Sequence, residues 1–196
     1  MHLLSHNAEH KLDVLHQFIR ANSLGVVTTA IRCPPFPLLQ ASHIPWVIDI
    51  VEEDVGSLYG RLRGHMARQN PQAKSIIEYV SQFGSDSNEI WLPEDVLVMF
   101  NGLMHHYITP KFHKETKPNT GKVVPTWDYD AVQVYGKARV YIDMQSDTAI
   151  MGYESSDKPE TRAWKVSDAP ARYIDLLTKN LIGIEIKITC MDGRIS

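Results

Sequence analysis

An antiparallel β-barrel with peripheral α-helices is the fold class this sequence predicts, and three observations predict it. Residues Ala131–Asp143 alternate strictly, with Val132, Val134, Gly136, Ala138, Val140 and Ile142 on one face and polar or aromatic side chains on the other. The stretch "LIGIEIKITC" repeats that period with Ile182, Ile184, Ile186 and Ile188 inward. Period two marks a strand with one buried and one wet face, the habit of antiparallel sheets. Third, the helical segments do not alternate regularly with the strands, which disfavours a doubly wound parallel sheet.

In chain order, Ala8, Leu12, Leu15 and Ile19 fall at helical spacing, so a helix is predicted over 8–21, ending near Asn22. "GVVTTA" reads as a strand, and the three prolines of "CPPFP" break it. "LQASHIPWVIDI" is the next strand, with Pro45 marking an edge or a bulge. "GSLYGRL" is a third, turning at Gly64 into a helix from about Ala67, and "EDVLVMF" is a short apolar strand. Asp168 and Pro170 carry N-cap and first-turn signals for a C-terminal helix, so helix and strand together fill 168–191. The stretch around 145–163 has the poorest pattern and is expected to be a mobile loop. A single domain over 1–196 accommodates all of it.

Composition narrows the function classes. The 196 residues carry a formal net charge of −3, which argues against a general DNA binder, because such affinity rests on a basic surface. No apolar run approaches the roughly 20 residues of a membrane span. The two cysteines, Cys33 and Cys190, stand far apart, so neither a disulfide framework nor a thiolate metal site is expected, and the location reads as cytoplasmic.

Chemistry concentrates in three stretches. "RLRGHMARQNP" crowds Arg61, Arg63, His65 and Arg68 at a strand-to-helix join, where backbone N–H groups and cations suit a phosphate. Equally open is a solvated basic patch with Arg61 and Arg63 paired to Glu52, Glu53 or Asp54. "QASHIPW" places Ala41, Ser42 and His43 mid-strand, where a small residue lets a flat ligand lie on the backbone. The Thr126-Trp127-Asp128-Tyr129 corner sets two large rings beside polar groups, suited to wall an aromatic ligand or to fill a subunit interface. His105, His106 and His113 invite a metal, but adjacent strand residues point to opposite faces and no acidic or cysteine partner stands at ligand spacing, so no metal is assigned. There is no nucleophile elbow, Walker loop or dinucleotide fingerprint.

Four stretches, "GRLRGHMARQNPQA", "HHYITPKF", "GKVVPTWDYDAVQVYGKARVY" and "WKVSDAPARYIDLLTKNLIGIEIKI", resemble in order, nearly end to end, the PaiB-type FMN-binding proteins. The flavour of "TPKFHKETKP" and "QASHIPW" is similar to the fungal branch. The resemblance implies a pyridoxamine-phosphate-oxidase-like FMN-binding split β-barrel, forming a homodimer with FMN at the subunit interface. By position, Arg63, His65, Ala67 and Arg68 would face phosphate and ribityl, Ala41, Ser42 and His43 would lie along the isoalloxazine, and Thr126 and Trp127 would come from the partner chain. The function implied is a flavin-dependent oxidoreductase acting on a small molecule. Alternatives are a PaiB-like transcriptional regulator or flavin sensor without turnover, and a haem-binding or haem-degrading split barrel using His105 or His106. Against the family pattern, "GLMHHY" is one residue longer than the usual Gly-Pro-His-Ala-Tyr element, and the stretch between Tyr141 and Trp164 is shortened.

Overall fold

The computed structural model describes residues 7–50, 58–82, 90–112, 114, 119–142, 170, 172 and 179–195. Its elements are β1 (Ala8–Glu9), α1 (Leu12–Ala21), β2 (Leu24–Ala30), β3 (Leu39–Asp49), β4 (Arg61–Ala67), α2 (Pro71–Ser81), β5 (Ile90–Trp91), β6 (Val96–Ile108), a 3-10 turn (Pro110–Phe112), β7 (Thr126–Tyr141) and β8 (Leu181–Arg194). Neighbours run β8-β4-β3-β2-β6-β7, and β7 pairs with β8 again, so six antiparallel strands close on themselves. Closure gives each of the six strands a neighbour on both sides along at least part of its length. The two-residue strands β1 and β5 pair outside that ring, on β8 and β7.

Period two fills the interior. Val27, Ile44, Trp46, Leu62, Met66, Val98, Phe100, Val134, Ala138, Ile184 and Ile186 are all buried there, and Leu15 and Ile19 of α1 join the same core. Trp46 fits because it faces two glycines. A Cβ on Gly25 would come within 2.9 Å of its Cδ1, and one on Gly64 within 2.9 Å of its Cε3. Two polar residues, Gln133 of β7 and Glu185 of β8, sit on the outer face yet are buried.

Several boundaries differ from the sequence expectation. The first helix begins at Leu12 and not near Ala8. Glu9 folds its carboxylate back onto the N–H groups of His10 and Lys11 at 2.9 and 2.8 Å, while Ala8–Glu9 pairs with Gly193 and Arg194. The turn before β4 is at Gly60, whose φ is +85°. Gly64 is ordinary mid-strand backbone, made glycine by the Trp46 ring. The helix after β4 starts at Pro71, four residues beyond the expected Ala67. Pro45 marks a local edge and not a bulge: it faces Leu24 of β2, and pairing to β4 begins only at Trp46, so its missing N–H costs no ladder bond. β6 is a 13-residue strand, longer than the short apolar run suggested. The loop expected around 145–163 and nearly all of the helix expected from Asp168 lie outside the described residues.

His16 gives the fold a pH dependence. It is buried on α1 with Nε2 3.0 Å from the Tyr59 carbonyl, and burial lowers its pKa, the Tyr59 bond and Asp13 opposing while Arg20 adds to the lowering. Below its usual value of about 6.5, the unfolded chain takes up a proton that the folded chain resists. Stability from this group is therefore complete above about pH 6.5 and falls as the pH drops toward the folded pKa. We expect thermal unfolding at pH 5.5 to come earlier than at pH 7.5, and the gap to narrow in His16→Gln, which keeps a donor for Tyr59.

Candidate functional site

The end of β4 and the start of α2 are bound tightly to β3. Asn70 caps α2 through its Oδ1, which accepts from the Gln72 N–H at 2.9 Å, and its Nδ2 donates to Ser42 Oγ at 2.9 Å. Gln72 is fully buried and its Nε2 reaches Thr29 Oγ1 at 3.0 Å and the Gln40 carbonyl at 3.1 Å. These bonds hold Gln40 and Ser42, and so the stretch that contains Ala41 and His43, against the start of α2, just after Ala67 and Arg68 in the chain. Two of the three stretches singled out in the sequence thus meet in one place.

The expected helix-start anion site takes a different form. Pro71 at the first turn has no N–H, and the Gln72 N–H already serves the cap. The cations are engaged as well. Arg63 grips Asp49 through Nε and through Nη2, the latter at 2.9 Å from Oδ1. Arg61 stands 3.6 Å from Glu185. Asp49 and Glu185 are the partners shown here; Glu52, Glu53 and Asp54, expected in that role, lie outside the described residues. Arg68 donates Nε to the Leu181 carbonyl at 3.1 Å and Nη2 to the Ile142 carbonyl, while its backbone N–H donates to Asn180 at 2.9 Å. It ties together the ends of β4, β7 and β8.

The outer face beside this join is more basic than the sequence reading anticipated. Register places Lys137, Lys187 and Arg61 in one row across β7, β8 and β4, and Arg139, Glu185 and Arg63 in the next. The third row is Tyr141, Gly183 and His65. Glu185 is buried because Arg139, 3.0 Å away, and Arg61 both close over it. Arg139 also lies over the rings of Trp91 at 5.7 Å and Tyr141 at 4.9 Å. Arg139, Glu185 and Lys187 were missed as site neighbours. Alternation had put them on the outer face, but only the strand order puts them beside His65. Burial lowers the His65 pKa, so at neutral pH it offers a neutral imidazole.

Thr126 and Trp127 are elsewhere. They lie at the far end of β7 from Tyr141 in the His65 row, a span of 16 residues and on the order of 50 Å of strand. There β6 and β7 continue past the barrel as a two-stranded arm pairing His105 with Tyr129 and Tyr107 with Trp127. Trp127 is 51% exposed and sits between the His105 ring at 5.8 Å and the Tyr107 ring at 6.1 Å. Leu103, Met104, Phe112 and Val124 on the same projection are still more exposed. Among the described residues, no group of three or more His, Cys, Asp or Glu is placed to hold a metal ion.

The donor set suits a phosphorylated planar ligand. Guanidinium groups and an imidazole border the join, and Ala41 and Ala67 are small and exposed. The closed ring of six antiparallel strands defines a split β-barrel. Residues 1–190 match the family described as "Putative FMN-binding domain", and the chain belongs to that family; its cofactor is FMN. An uncharacterized protein of Aspergillus fumigatus is 47% identical over 219 residues, covering 99% of this chain and 83% of the relative. The Bacillus subtilis protease synthase and sporulation protein PAI 2 is 27% identical over 178 residues, covering 90% and 71%. The fold also matches the Azotobacter vinelandii flavocytochrome Anf3, with a TM-score of 0.53 at 11% identity, over 100% of this chain and 72% of that one. No helix among the described residues is long and apolar enough to cross a membrane.

Proposed function

We propose that this protein is an FMN-dependent oxidoreductase for a small molecule, working as a homodimer with two sites formed between the copies. The observation that carries the reading is the separation of the site residues. Ser42 is tied to the join after β4 through Asn70, while Thr126 and Trp127 stand on a projecting arm whose apolar side chains are exposed. A second copy brings the two halves together and covers that apolar surface.

In this arrangement Arg68 and His65, with Arg63 behind them, hold phosphate and ribityl. Ala41 and His43 line the flat ring system on the outer face of β3. Thr126 and Trp127 of the second copy close the site and exclude water. FMN, when bound, supplies the electron-accepting and electron-donating chemistry, and the chain supplies orientation and electrostatics. The basic rows around Glu185 favour the phosphate and any anionic substrate approaching it.

Regulation by DNA contact is not favoured: the chain is acidic overall, and both described helices bury a face against the barrel. The test is anaerobic mixing of the FMN-loaded protein with NADH or NADPH. Bleaching of the oxidised flavin band with either donor supports a reductase. An unchanged spectrum with both would overturn it and leave a flavin-binding protein without turnover.

A further inference from the structure

The arm needs something to aim it. A two-stranded ribbon by itself is marginally stable, and this one is bulged at its root. Between Asn101 and His105, β6 advances four residues while β7 advances two, from Ala131 to Tyr129. Beyond Ala131, β8 no longer runs beside β7. At that last level stands Arg194, its backbone paired with Ala131 on one side and Ala8 on the other. Its side chain reaches out along the arm. Nε donates to the Tyr129 carbonyl at 3.1 Å, Nη2 to Asp128 Oδ1 at 3.1 Å, and the guanidinium lies 4.7 Å from the centre of the Tyr129 ring. On the opposite strand Gly102 lets the root pack close, since a Cβ there would come 3.0 Å from Asp130 Cβ and 3.5 Å from Phe18 of α1.

We infer that Arg194 is a positioning residue acting across the dimer: it fixes the direction of the β6–β7 arm, and so the fit of Thr126 and Trp127 against FMN in the other copy. This rests on the dimeric reading above. The planar fork matters, because one guanidinium meets a carbonyl, a carboxylate and a ring face at once, which an ammonium does not. The pair is mostly shielded, with the side chains of Arg194 and Asp128 20% and 29% exposed, so the clamp holds in ordinary salt.

The test is FMN titration of the full chain, with dimer mass and circular dichroism as folding controls. Arg194→Lys and Asp128→Asn should each bind FMN about tenfold more weakly while remaining folded dimers. Differently tagged Arg194→Lys and Arg68→Ala chains are then co-expressed, and the mixed dimer is isolated. It contains one site with a native pocket and a native arm, so it should recover one FMN per dimer at near-native affinity, which neither parent dimer does. A mixed dimer no tighter than its parents, or single variants that bind as the native protein does, would overturn the inference. A native protein that is monomeric or binds no FMN would instead overturn the dimeric reading beneath it.

Discussion

Replacing Arg68 by alanine is expected to weaken FMN binding by roughly 1.5–3 kcal/mol, about ten- to a hundredfold, the usual range for a lost hydrogen bond to a charged group. Two effects contribute to that number. Arg68 is proposed to face the phosphate, and it also anchors the Leu181 and Ile142 carbonyls where three strands end. Riboflavin separates them. Loss of a phosphate contact weakens FMN while sparing riboflavin, whereas a loosened strand end weakens both alike. Equal losses for the two ligands in fluorescence titrations would place the phosphate elsewhere. Arg68→Lys should recover little, because one ammonium does not span two carbonyls and an anion.

The largest effect on stability is expected at Gly136. A Cβ there would stand 2.4 Å from the Lys187 carbonyl oxygen and 2.6 Å from Ile186 Cγ2, at the point where the β7–β8 register shifts. Backbone does not yield as a flexible side chain does, so even alanine must push the two strands apart. Gly136→Ala should cost about 3 kcal/mol, near the upper end for overpacking, and lower Tm by roughly 6–12 °C in a domain of this size. By contrast, Gly193→Ala meets Leu15 Cδ2, the end of a side chain, and should be milder. Similar Tm values for the two variants would contradict this account.

Much of the barrel was legible because period two is a local signal. The inward residues of β7 and β8 could be named from the chain alone, and the core contains them. What stayed hidden depends on partners distant in sequence. Gly64 looked like a turn, yet it is glycine because Trp46, far upstream, crosses it. The join from Gly64 to Arg68 looked like a helix start that cradles an anion, but the helix begins at Pro71, where Asn70 caps it and ties it to Ser42. Glu185 looked like a solvated outward residue, and two arginines from neighbouring strands enclose it. The arm escaped notice because its residues are polar and aromatic by turns, without the apolar alternation of the barrel. The meeting of "QASH" with "QNPQ" follows from a helix cap and a buried glutamine whose partners are distant in the chain, which no local window contains.

The ring of strands also has a bearing on how the chain is made. Its closing strand, residues 181–194, comes after the other five in chain order, yet it sits between β4 and β7 and pairs with both. A growing chain on the ribosome therefore carries an incomplete curl with two raw borders until that segment emerges. Such borders invite pairing with other nascent chains. The yield of this barrel should therefore depend on chaperones, and its folding should be slow for the distance its last contacts must travel.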